Sequence, residues 1–451
     1  MEQKKVFIET YGCQMNFSDS EIVGSVMKSI DYELTTDINQ ASVIFLNTCS
    51  IRDNAEQRVN RRLKELRSFK KKNPNLKIGL LGCMAERLKE QIFNEEAVDL
   101  IVGPDAYRDL PNLLNAVDSG QKAANVILSE EETYAEIEPV RLDSNGISAF
   151  ISIMRGCENF CTYCVVPYTR GKERSRNPET IINEAKGLFE KGYREITLLG
   201  QNVNSYQWES ENSMNFTKLL ESIALINPLL RVRFATSHPK DISDELLQTI
   251  AKHENICKAI HLPVQSGSSE VLKRMNRKYT REWYMNRIEA IKTIIPDCAI
   301  STDIITGFCA ETEENHKDTL SLMKWVSFDY AFMFKYSERP DTVAAKRLKD
   351  DIPEETKSKR LEEIIELQMN LALESNKKDI GKTSKVLIDS VSKRSKLKLS
   401  GRNSQNKVVV FPKENFEIGD YVDIIITDCT SATLIGESAK PIIFNILHTK
   451  T

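Results

Sequence analysis

Short apolar runs alternate with longer polar, helix-competent stretches over most of this 451-residue chain. In the first 138 residues the strand candidates are Val6–Glu9, Ser42–Leu46, Ile78–Leu81 and Leu100–Val102. This alternation is typical of a parallel sheet whose strands are joined by crossover helices. We therefore expect residues 1–138 to form an N-terminal parallel α/β domain, followed by an acidic linker at Ser129–Pro139.

The alternation continues over residues 139–375, where six further strand candidates occur. They are Phe150–Met154, Ile196–Leu199, Val232–Ala235, Lys258–Leu262, Ala299–Ile304 and Tyr330–Phe334. Helical patterns such as Pro178–Lys191 and Arg281–Ile294 separate them. Six such units predict a partial (β/α)6 barrel, an incomplete version of the eight-unit barrel, with its chemistry at the carboxyl ends of the strands.

The pattern changes after a long helix predicted from Glu354 to about Leu373. Residues 376–445 contain short β-branched runs punctuated by glycines. These runs are Ser384–Ile388, Val408–Phe411, Tyr421–Thr427 and Thr433–Gly436. They predict a small antiparallel β-barrel as a third, C-terminal domain of this α/β chain.

Apolar runs are too short for a membrane span of roughly 18 residues, and the N-terminus lacks a signal-like apolar region. We expect a cytoplasmic monomer that does not bind membranes. The net charge is only −3, but residues 58–77 and 382–413 each hold nine lysines and arginines. Such stretches are either solvated faces or surfaces for a nucleic acid.

Ten cysteines in a reducing compartment are more often thiols or metal ligands than disulfides. Cys157, Cys161 and Cys164, here called the barrel triplet, directly follow the first barrel strand. Thiolates hold cubane iron–sulfur clusters, and three of them leave one of four irons open. Structural zinc is the alternative, but it usually needs a fourth ligand nearby, and the next histidine downstream is His238. The spacing therefore predicts a catalytic 4Fe–4S cluster.

A second set, Cys13, Cys49 and Cys83, is called the N-terminal triplet. Each cysteine lies just beyond the end of a predicted strand. Because parallel strands end at one edge of a sheet, the three thiols can converge on a second cubane. Buried structural cysteines are the alternative. The other four are expected to lie in hydrophobic cores: Cys257, Cys298, Cys309 and Cys429.

The CxxxCxxC loop after the first strand of a six-unit barrel resembles the radical S-adenosylmethionine superfamily. The segments TYGCQMN, NTCSIRDNAEQ and LGCMAER resemble the signatures of its methylthiotransferases. The resemblance implies two 4Fe–4S clusters, with S-adenosylmethionine as both methyl donor and radical source. The barrel cluster would yield a 5′-deoxyadenosyl radical, and the N-terminal cluster would carry the inserted sulfur. A flavodoxin or ferredoxin type of electron donor is also implied, and no catalytic side chain beyond the cluster ligands.

Polar and aromatic residues near the barrel triplet and at the strand tips are the candidate contacts of S-adenosylmethionine. They are Phe160, Tyr163, Gln201, Asn202, Ser237, Gln265, Ser266 and Asp303. Ordinary loop polarity is the alternative for each, and His238 and His261 are expected to be structural. The chain departs from the family at Cys309-Ala310-Glu311, where Pro-Gly-Glu is usual.

The C-terminal region resembles the TRAM domain, a small RNA-binding barrel. Its candidate phosphate contacts are Lys382, Lys385, Lys393, Arg394, Lys396, Lys398, Arg402 and Lys407. Phosphate contacts of this kind position an RNA without reading its sequence.

The TYGCQMN segment is most similar to methylthiotransferases that act on tRNA carrying N6-isopentenyladenosine beside the anticodon. Their reaction converts C–H to C–SCH3 at adenine C2. A methylthiotransferase for a ribosomal protein or for threonylcarbamoyladenosine tRNA remains open. A non-catalytic RNA-binding iron–sulfur protein is a more remote alternative.

Overall fold

The computed structural model describes residues 3–49, 53–88, 95, 97–142, 145–211 and 213–439, with the backbone alone at 53–56. Residues 50–52 of the second signature segment and 440–445 of the predicted final domain lie outside the described residues. Within the described part, no helix combines the length and apolar character needed to cross a membrane.

The N-terminal domain contains one six-stranded sheet. Its strands are β1 (Lys5–Tyr11), β2 (Glu33–Leu34), β3 (Val43–Thr48), β4 (Lys77–Gly82), β5 (Leu100–Val102) and β6 (Ala123–Asn125). The described helices are α1 (Gln14–Lys28), α2 (Asp53–Lys72), α3 (Cys83–Arg87) and α4 (Leu110–Asp118). The order β2-β1-β3-β4-β5-β6 is parallel throughout. The edge strands β2 and β6 were not predicted because each is too short to show a periodic pattern.

The central domain contains the six predicted strands and two short hairpins. In chain order the strands are β7 (Ser148–Ser152), β8 (Met154–Arg155), β9 (Arg174–Ser175), β10 (Glu195–Leu199), β11 (Gln207–Trp208), β12 (Met214–Asn215), β13 (Arg231–Phe234), β14 (Ala259–His261), β15 (Ala299–Thr306) and β16 (Tyr330–Lys335). The parallel sheets β7-β10-β13 and β14-β15-β16 form the barrel wall, and a parallel bridge from Val232 to Ile256 lies between them.

Helices cover the outer face of this wall. The helices of the domain are α5 (Val166–Arg170), which contacts α3 of the N-terminal domain, and α6 (Pro178–Glu190), α7 (Phe216–Ala224), α8 (Asp244–Lys252), α9 (Ser269–Arg274), α10 (Arg281–Ile294), α11 (Glu313–Val326), α12 (Val343–Arg347) and α13 (Glu354–Lys377). Several begin at a capping side chain: Thr280 accepts a hydrogen bond from the Trp283 amide at the start of α10. Alternate strand residues such as Ile260, Ile300 and Ile304 pack in the barrel's hydrophobic core. The α/β fold class is confirmed.

The C-terminal domain is a closed barrel. Its strands are β17 (Thr383–Val391), β18 (Lys398–Arg402), β19 (Val408–Pro412), β20 (Tyr421–Cys429) and β21 (Leu434–Ser438), in the order β17-β18-β19-β21-β20. The prediction missed β18, whose basic and glycine-containing sequence resembles a loop. The barrel is also not wholly antiparallel, because β19 and β21 pair in parallel.

The C-terminal barrel packs against the amino ends of the central strands. Arg231 Nη1 at the start of β13 donates to the Arg402 carbonyl at 2.6 Å, and Arg233 Nη2 donates to the Asn403 carbonyl at 2.8 Å. Contacts also reach the starts of the other five strands: Asn145 to Asp389, Tyr421 to Arg194, Lys258 to Ser404, Gln405 to Asp297 and Lys407 to Asp329. The C-terminal domain therefore lies at the opposite end of the barrel from the carboxyl strand ends.

Candidate functional site

The barrel triplet lies on a loop whose shape depends on glycine. Gly156 has a φ of +80°, and a Cβ added there would lie 1.8 Å from the Lys172 carbonyl oxygen. The Cys157 amide then donates to the Gly171 carbonyl at 3.1 Å, which ties the two ends of the loop together. Only glycine fits this close backbone approach, so the loop geometry is encoded locally.

Charged and amide donors surround the barrel thiols. Arg277 Nη1 donates to Cys161 Sγ at 3.3 Å, and Asn159 Nδ2 donates to Cys157 Sγ at 3.3 Å. Burial raises the pKa of Cys157 to about 11, while burial together with the charge of Cys161 raises the pKa of Cys164 to about 12. Metal binding deprotonates thiols, so cluster assembly at this loop releases protons.

The three cysteines of the N-terminal triplet follow adjacent, in-register strands. Tyr11 pairs with Thr48, and Thr48 pairs with Gly82. Cys13, Cys49 and Cys83 come one or two residues later and meet at one edge. A Cβ on Gly12 would lie 2.6 Å from the Cys49 Cβ, so glycine lets the first and second cysteine segments approach closely.

Asn16, buried below this triplet, holds its loops in place. Its Nδ2 donates to the Thr48 carbonyl at 3.1 Å, its Oδ1 accepts from the Cys13 amide at 3.3 Å, and Asn47 Nδ2 donates to its carbonyl at 2.8 Å. A hydrogen bond with Cys49 lowers the pKa of Cys13 to about 6 against the opposing effect of burial. The N-terminal triplet is thus a preformed cluster of thiols.

Three thiols in each triplet match the donor set of a cubane cluster. Among the described residues, no group of three His, Cys, Asp or Glu side chains is arranged around one ion. A cubane spreads its thiolates over separate irons, so its ligands surround the cluster without meeting at one point. Each triplet provides three thiols, which suits a cluster with one open iron.

Arg170, on α5 just after the barrel triplet, reaches the N-terminal triplet. Its Nε–H donates to Cys83 Sγ at 3.2 Å, and its Nη2 donates to Asp19 at 2.8 Å. Arg155, just before the barrel triplet, donates to the other Asp19 oxygen at 2.8 Å. In the sequence, the barrel triplet therefore lies between two buried arginines. Both arginines bind the buried Asp19 carboxylate of the N-terminal domain.

These charged residues escaped the sequence analysis. Burial alone would raise the pKa of Asp19, but the Arg155 and Arg170 guanidiniums hold it below its usual value. Asp105 adds a second acid, accepting from Arg174 Nη2 at 2.9 Å. Only the arginines next to the cysteine loop offered a signal, and an isolated arginine in a sequence is ordinarily exposed.

Unpaired polar atoms at three adjacent strand ends mark a site for a polar ligand. Ser152 Oγ, Gln201 Oε1, both amide atoms of Asn204, and Ser237 Oγ are buried without a protein hydrogen-bond partner. Buried polar atoms are costly unless paired, so this group fits the amino, carboxylate or ribose groups of S-adenosylmethionine. Gln201 and Ser237 were predicted, whereas Ser152 and Asn204 were not.

Three other predicted contacts are already held by the protein. Asn202 Nδ2 donates to Asp241 at 2.7 Å and its Oδ1 accepts from the His238 amide at 2.9 Å. Ser266 Oγ accepts from the Ser268 amide at 3.3 Å, and Gln265 has a φ of +72° that turns the chain after β14. These residues shape the strand ends.

The remaining predicted contacts differ in exposure. Phe160 is exposed, and Asp303 is half-buried beside the His261 Nε2 at 3.5 Å. Tyr163 packs edge-to-face on Phe308 at 6.4 Å between ring centroids. The His238 ring Nδ1 accepts a hydrogen bond from the Lys240 amide at 3.2 Å, consistent with a structural histidine.

The loop that departs from the family pattern is well packed. Cys309 is buried with Phe308 and Tyr336, and Glu311 accepts from the Gly307 amide at 2.8 Å. Cys309 therefore acts as a core residue here. Cys257 is also buried, while Cys298 and Cys429 pack at the margins of hydrophobic cores.

The predicted RNA contacts separate into exposed and engaged side chains. Four of them are exposed around the β17–β18 connection of the C-terminal barrel: Lys393, Arg394, Lys396 and Lys398. Lys385 is exposed near the start of β17, over the Tyr421 ring. Lys382 is exposed and lies 3.8 Å from Asp379. Arg402 donates to the Asn406 carbonyl, and the half-buried Lys407 ammonium is held by Asp379, Ser375 and Asp329. Lys407 joins the C-terminal barrel to the central barrel, so we remove it from the proposed phosphate contacts.

Three known families match successive parts of this chain. Residues 5–103 match the uncharacterized protein family UPF0004, residues 151–323 the Radical SAM superfamily, and residues 377–438 the TRAM domain. Membership of the Radical SAM superfamily implies a 4Fe–4S cluster and S-adenosylmethionine as cofactors.

Curated relatives match nearly the whole chain. A protein of Phocaeicola vulgatus named tRNA-2-methylthio-N(6)-dimethylallyladenosine synthase is 58% identical over 97% of this chain and 96% of its own length. A protein of the same name from Flavobacterium johnsoniae is 53% identical over 96% and 94%. The chain belongs to the tRNA-2-methylthio-N(6)-dimethylallyladenosine synthase family.

Solved structures support the fold of this family member. The radical S-adenosylmethionine methyltransferase TsrM from Kitasatospora setae, solved with tryptophan and a cofactor analogue, has a TM-score of 0.56 and 14% identity, covering 76% of this chain and 75% of its own. The cobalamin-dependent radical enzyme OxsB has a TM-score of 0.51 and 14% identity, covering 81% and 56%. At such identities the likeness concerns the fold alone.

A first prediction concerns Arg170. Arg170→Gln is expected to lower the midpoint potential of the second cluster that we expect the N-terminal triplet to hold, because a cationic donor beside a ligand sulfur favours the reduced state. The potential is measured by electron paramagnetic resonance during a redox titration, in a Cys161→Ala background that lacks the barrel cluster. Arg141→Gln is the matched control, since Arg141 joins Glu21 and Glu184 between the same domains without contacting a thiol. An equal potential in both variants would contradict this role.

Proposed function

We propose that the chain converts N6-isopentenyladenosine next to the tRNA anticodon to its 2-methylthio form, replacing C–H with C–SCH3 at adenine C2. The observation that carries the proposal is that Arg170 and Asp19 connect two cysteine triplets. Each triplet has three thiols. One site alone would explain radical formation but not a source of sulfur. Two sites linked through Arg170 would supply both within one active centre.

The chain's own residues bind and orient the reactants. The barrel triplet would hold the cluster that binds S-adenosylmethionine, and the N-terminal triplet would hold a second 4Fe–4S cluster. When bound, these cofactors supply a hydrogen-abstracting radical, a sulfur atom and a methyl group. The unpaired atoms of Gln201, Asn204 and Ser237 would hold polar groups of S-adenosylmethionine at the strand ends. Arg170 and Arg155 both bind Asp19 and so fix the two sites relative to each other, and Arg170 places positive charge beside the Cys83 thiol.

The proposed partners follow from the same assignment. Exposed lysines and arginines of the C-terminal barrel, including Lys393, Arg394 and Lys396, would contact tRNA phosphates. A flavodoxin or ferredoxin type of protein would supply electrons. We propose that the chain works as a monomer in the cytoplasm, where its tRNA substrate is found.

A second prediction tests this function directly. A strain lacking the gene for this chain is expected to lose 2-methylthio-N6-isopentenyladenosine from its tRNA and to accumulate N6-isopentenyladenosine. The measurement is mass spectrometry of tRNA nucleosides. Complementation with the wild-type chain should restore the product, and the Cys13→Ala variant should not. Unchanged 2-methylthio content in the deletion strain would refute the proposal.

Assays with purified protein separate the alternative functions. Turnover of a ribosomal protein or of threonylcarbamoyladenosine tRNA, without turnover of isopentenyladenosine tRNA, would reassign the substrate. Absence of 5′-deoxyadenosine after reduction with S-adenosylmethionine would favour a non-catalytic RNA-binding protein.

A further inference from the structure

The basic stretch at residues 58–77 lies mostly on α2, the helix that follows the second cysteine segment of the N-terminal domain. One side of this helix is apolar: Val59, Leu63 and Leu66 are buried in a core that also contains Ile44 of β3 and Ile78 of β4. The packing of α2 on the sheet is therefore explained by these residues, and its many cations need a separate explanation.

Three cations of α2 neutralise acids of the same domain. Each of them makes a charged hydrogen bond to a carboxylate, and these pairs lie along the margins of the packed side. They are Arg62 with Glu9 and Glu65, Arg67 with Glu95, and Lys70 with Asp99. Pairs of this kind are ordinary surface ion pairs and require no ligand.

Five other cations of α2 are exposed and have no acidic partner in the described part of the chain. We call them the α2 basic face: Arg58, Arg61, Lys64, Lys71 and Lys72. Because residues three, four or seven positions apart lie on one side of a helix, these side chains point away from the packed side. The one acid among them, Glu65, is held by Arg62 at 2.7 Å. The α2 basic face is thus a row of unneutralised positive charge on a chain whose net charge is −3.

The α2 basic face begins beside the N-terminal triplet. The Arg58 guanidinium lies over the Tyr11 ring, 5.5 Å from its centroid, and Tyr11 precedes Cys13 by two positions. Tyr11 also pairs with Thr48, the residue before Cys49. A substrate base that receives sulfur at this triplet must come to the same edge of the sheet, so its backbone phosphates come near these cations.

The shape of the α2 basic face suits the backbone of an RNA. It extends from Arg58 to Lys72, which is roughly 20 Å at the usual rise of a helix and comparable to several successive phosphates of one strand. An acidic electron carrier is the competing partner for a basic surface. Such a carrier must reduce the barrel cluster, whereas this surface adjoins the N-terminal triplet, so the position favours RNA.

We propose that the α2 basic face binds phosphates of the substrate RNA close to the base that is modified. This inference rests on RNA being the substrate of the proposed function. The C-terminal barrel packs at the amino ends of the central strands, away from both triplets. The α2 basic face would add phosphate contacts at the triplet end, and contacts of this kind position an RNA without reading its sequence.

The test measures binding of a synthetic anticodon stem–loop RNA carrying N6-isopentenyladenosine to the full chain with its clusters assembled, by fluorescence anisotropy at several salt concentrations. A triple variant carries Arg58→Gln, Arg61→Gln and Lys64→Gln. Its affinity should be roughly 10- to 100-fold weaker at about 100 mM salt, and its slope of log K against log salt should be smaller by about two. In turnover assays it should raise KM for RNA far more than it lowers kcat.

The choice of these three positions excludes a trivial effect on the helix. Lys71 and Lys72 lie in the last turn of α2, where positive charge also stabilises the helix itself, so they are left unchanged. Arg58→Lys with Arg61→Lys keeps both charges and should keep the wild-type slope. Iron content and circular dichroism of the triple variant should match the wild type.

A second triple variant is the matched control. Lys186→Gln, Lys317→Gln and Lys324→Gln remove the same net charge from exposed lysines on α6 and α11, far along the chain from α2. Its RNA affinity should stay within twofold of the wild type. The comparison separates local phosphate contacts from a general effect of net charge.

Two results would overturn the inference. Equal RNA affinity and equal salt slope in the two triple variants would make the α2 basic face an ordinary solvated surface. Unchanged RNA affinity with slower cleavage of S-adenosylmethionine driven by reduced flavodoxin would assign this surface to an acidic electron carrier. If the wild-type chain binds the RNA through α2 but forms no 2-methylthio product, the proposed function fails and the inference stands.

Discussion

Replacing Cys13 by alanine is expected to remove about half of the iron, from about eight to about four atoms per chain. The N-terminal triplet has three thiols, so losing one leaves two, too few to hold a cubane. The barrel triplet is on a separate loop and should keep its cluster. Iron analysis and electron paramagnetic resonance of anaerobically purified protein measure the change.

The Cys13→Ala variant should also retain one activity, cleavage of S-adenosylmethionine, and lose the other, methylthiolation of RNA. Cys13→Ala should still form 5′-deoxyadenosine from S-adenosylmethionine but yield no methylthiolated RNA. Cys161→Ala should lose both products while keeping the N-terminal cluster. Cys429→Ala is the control, because Cys429 packs at the margin of the C-terminal core, and it should keep all the iron. Full iron in Cys13→Ala would refute ligation by the N-terminal triplet.

Asp19→Asn is expected to destabilise the protein by about 3–5 kcal/mol, the usual effect of breaking a buried ion pair. The substitution preserves shape but removes the negative charge that faces Arg155 and Arg170, both fully buried. Arg155 would retain the more distant Asp105 carboxylate, at 3.5 Å, and the Pro104 carbonyl, at 2.9 Å. Urea unfolding under anaerobic conditions, followed by circular dichroism, gives the free energy of unfolding.

The effect should be largest where the N-terminal domain meets the barrel. Limited proteolysis of Asp19→Asn should cleave within Ser129–Pro139 faster than in the wild type, because Tyr134 of this segment lies over Arg155 at 5.0 Å. Glu131→Gln, an exposed change in the same segment, serves as the control. A destabilisation below about 1 kcal/mol, the usual value for an exposed pair, would contradict the importance of the network.

Features encoded within a few residues could be predicted from the sequence. The barrel strands have apolar runs long enough to stand out, and the observed α10 has the predicted bounds, Arg281–Ile294. The N-terminal triplet was identifiable because each of its cysteines follows a different predicted strand. The barrel triplet was identifiable because its three cysteines are close together in the sequence after one strand. The fold class and the cysteine positions depend on such local signals.

Features that depend on distant contacts could not be predicted. Asp19 meets Arg155 across 136 positions of sequence and Arg170 across 151, so nothing near any of the three indicates the partner. The same reason applies to Lys407, which looked like a phosphate contact until its acidic partners were known. Charged residues are normally exposed, and their burial follows only from the docking of whole domains.

Arg231 and Arg233 have a consequence for how the protein is made. Their guanidiniums are buried at the foot of the barrel and are capped by the carbonyls of Arg402 and Asn403. During synthesis the barrel strands leave the ribosome well before those carbonyls exist, so the two guanidiniums of the newly made barrel lack these acceptors, although Glu195 can already pair with Arg233. The C-terminal domain therefore covers the base of the central barrel. We expect a chain that is truncated before this domain to be degraded by cellular proteases.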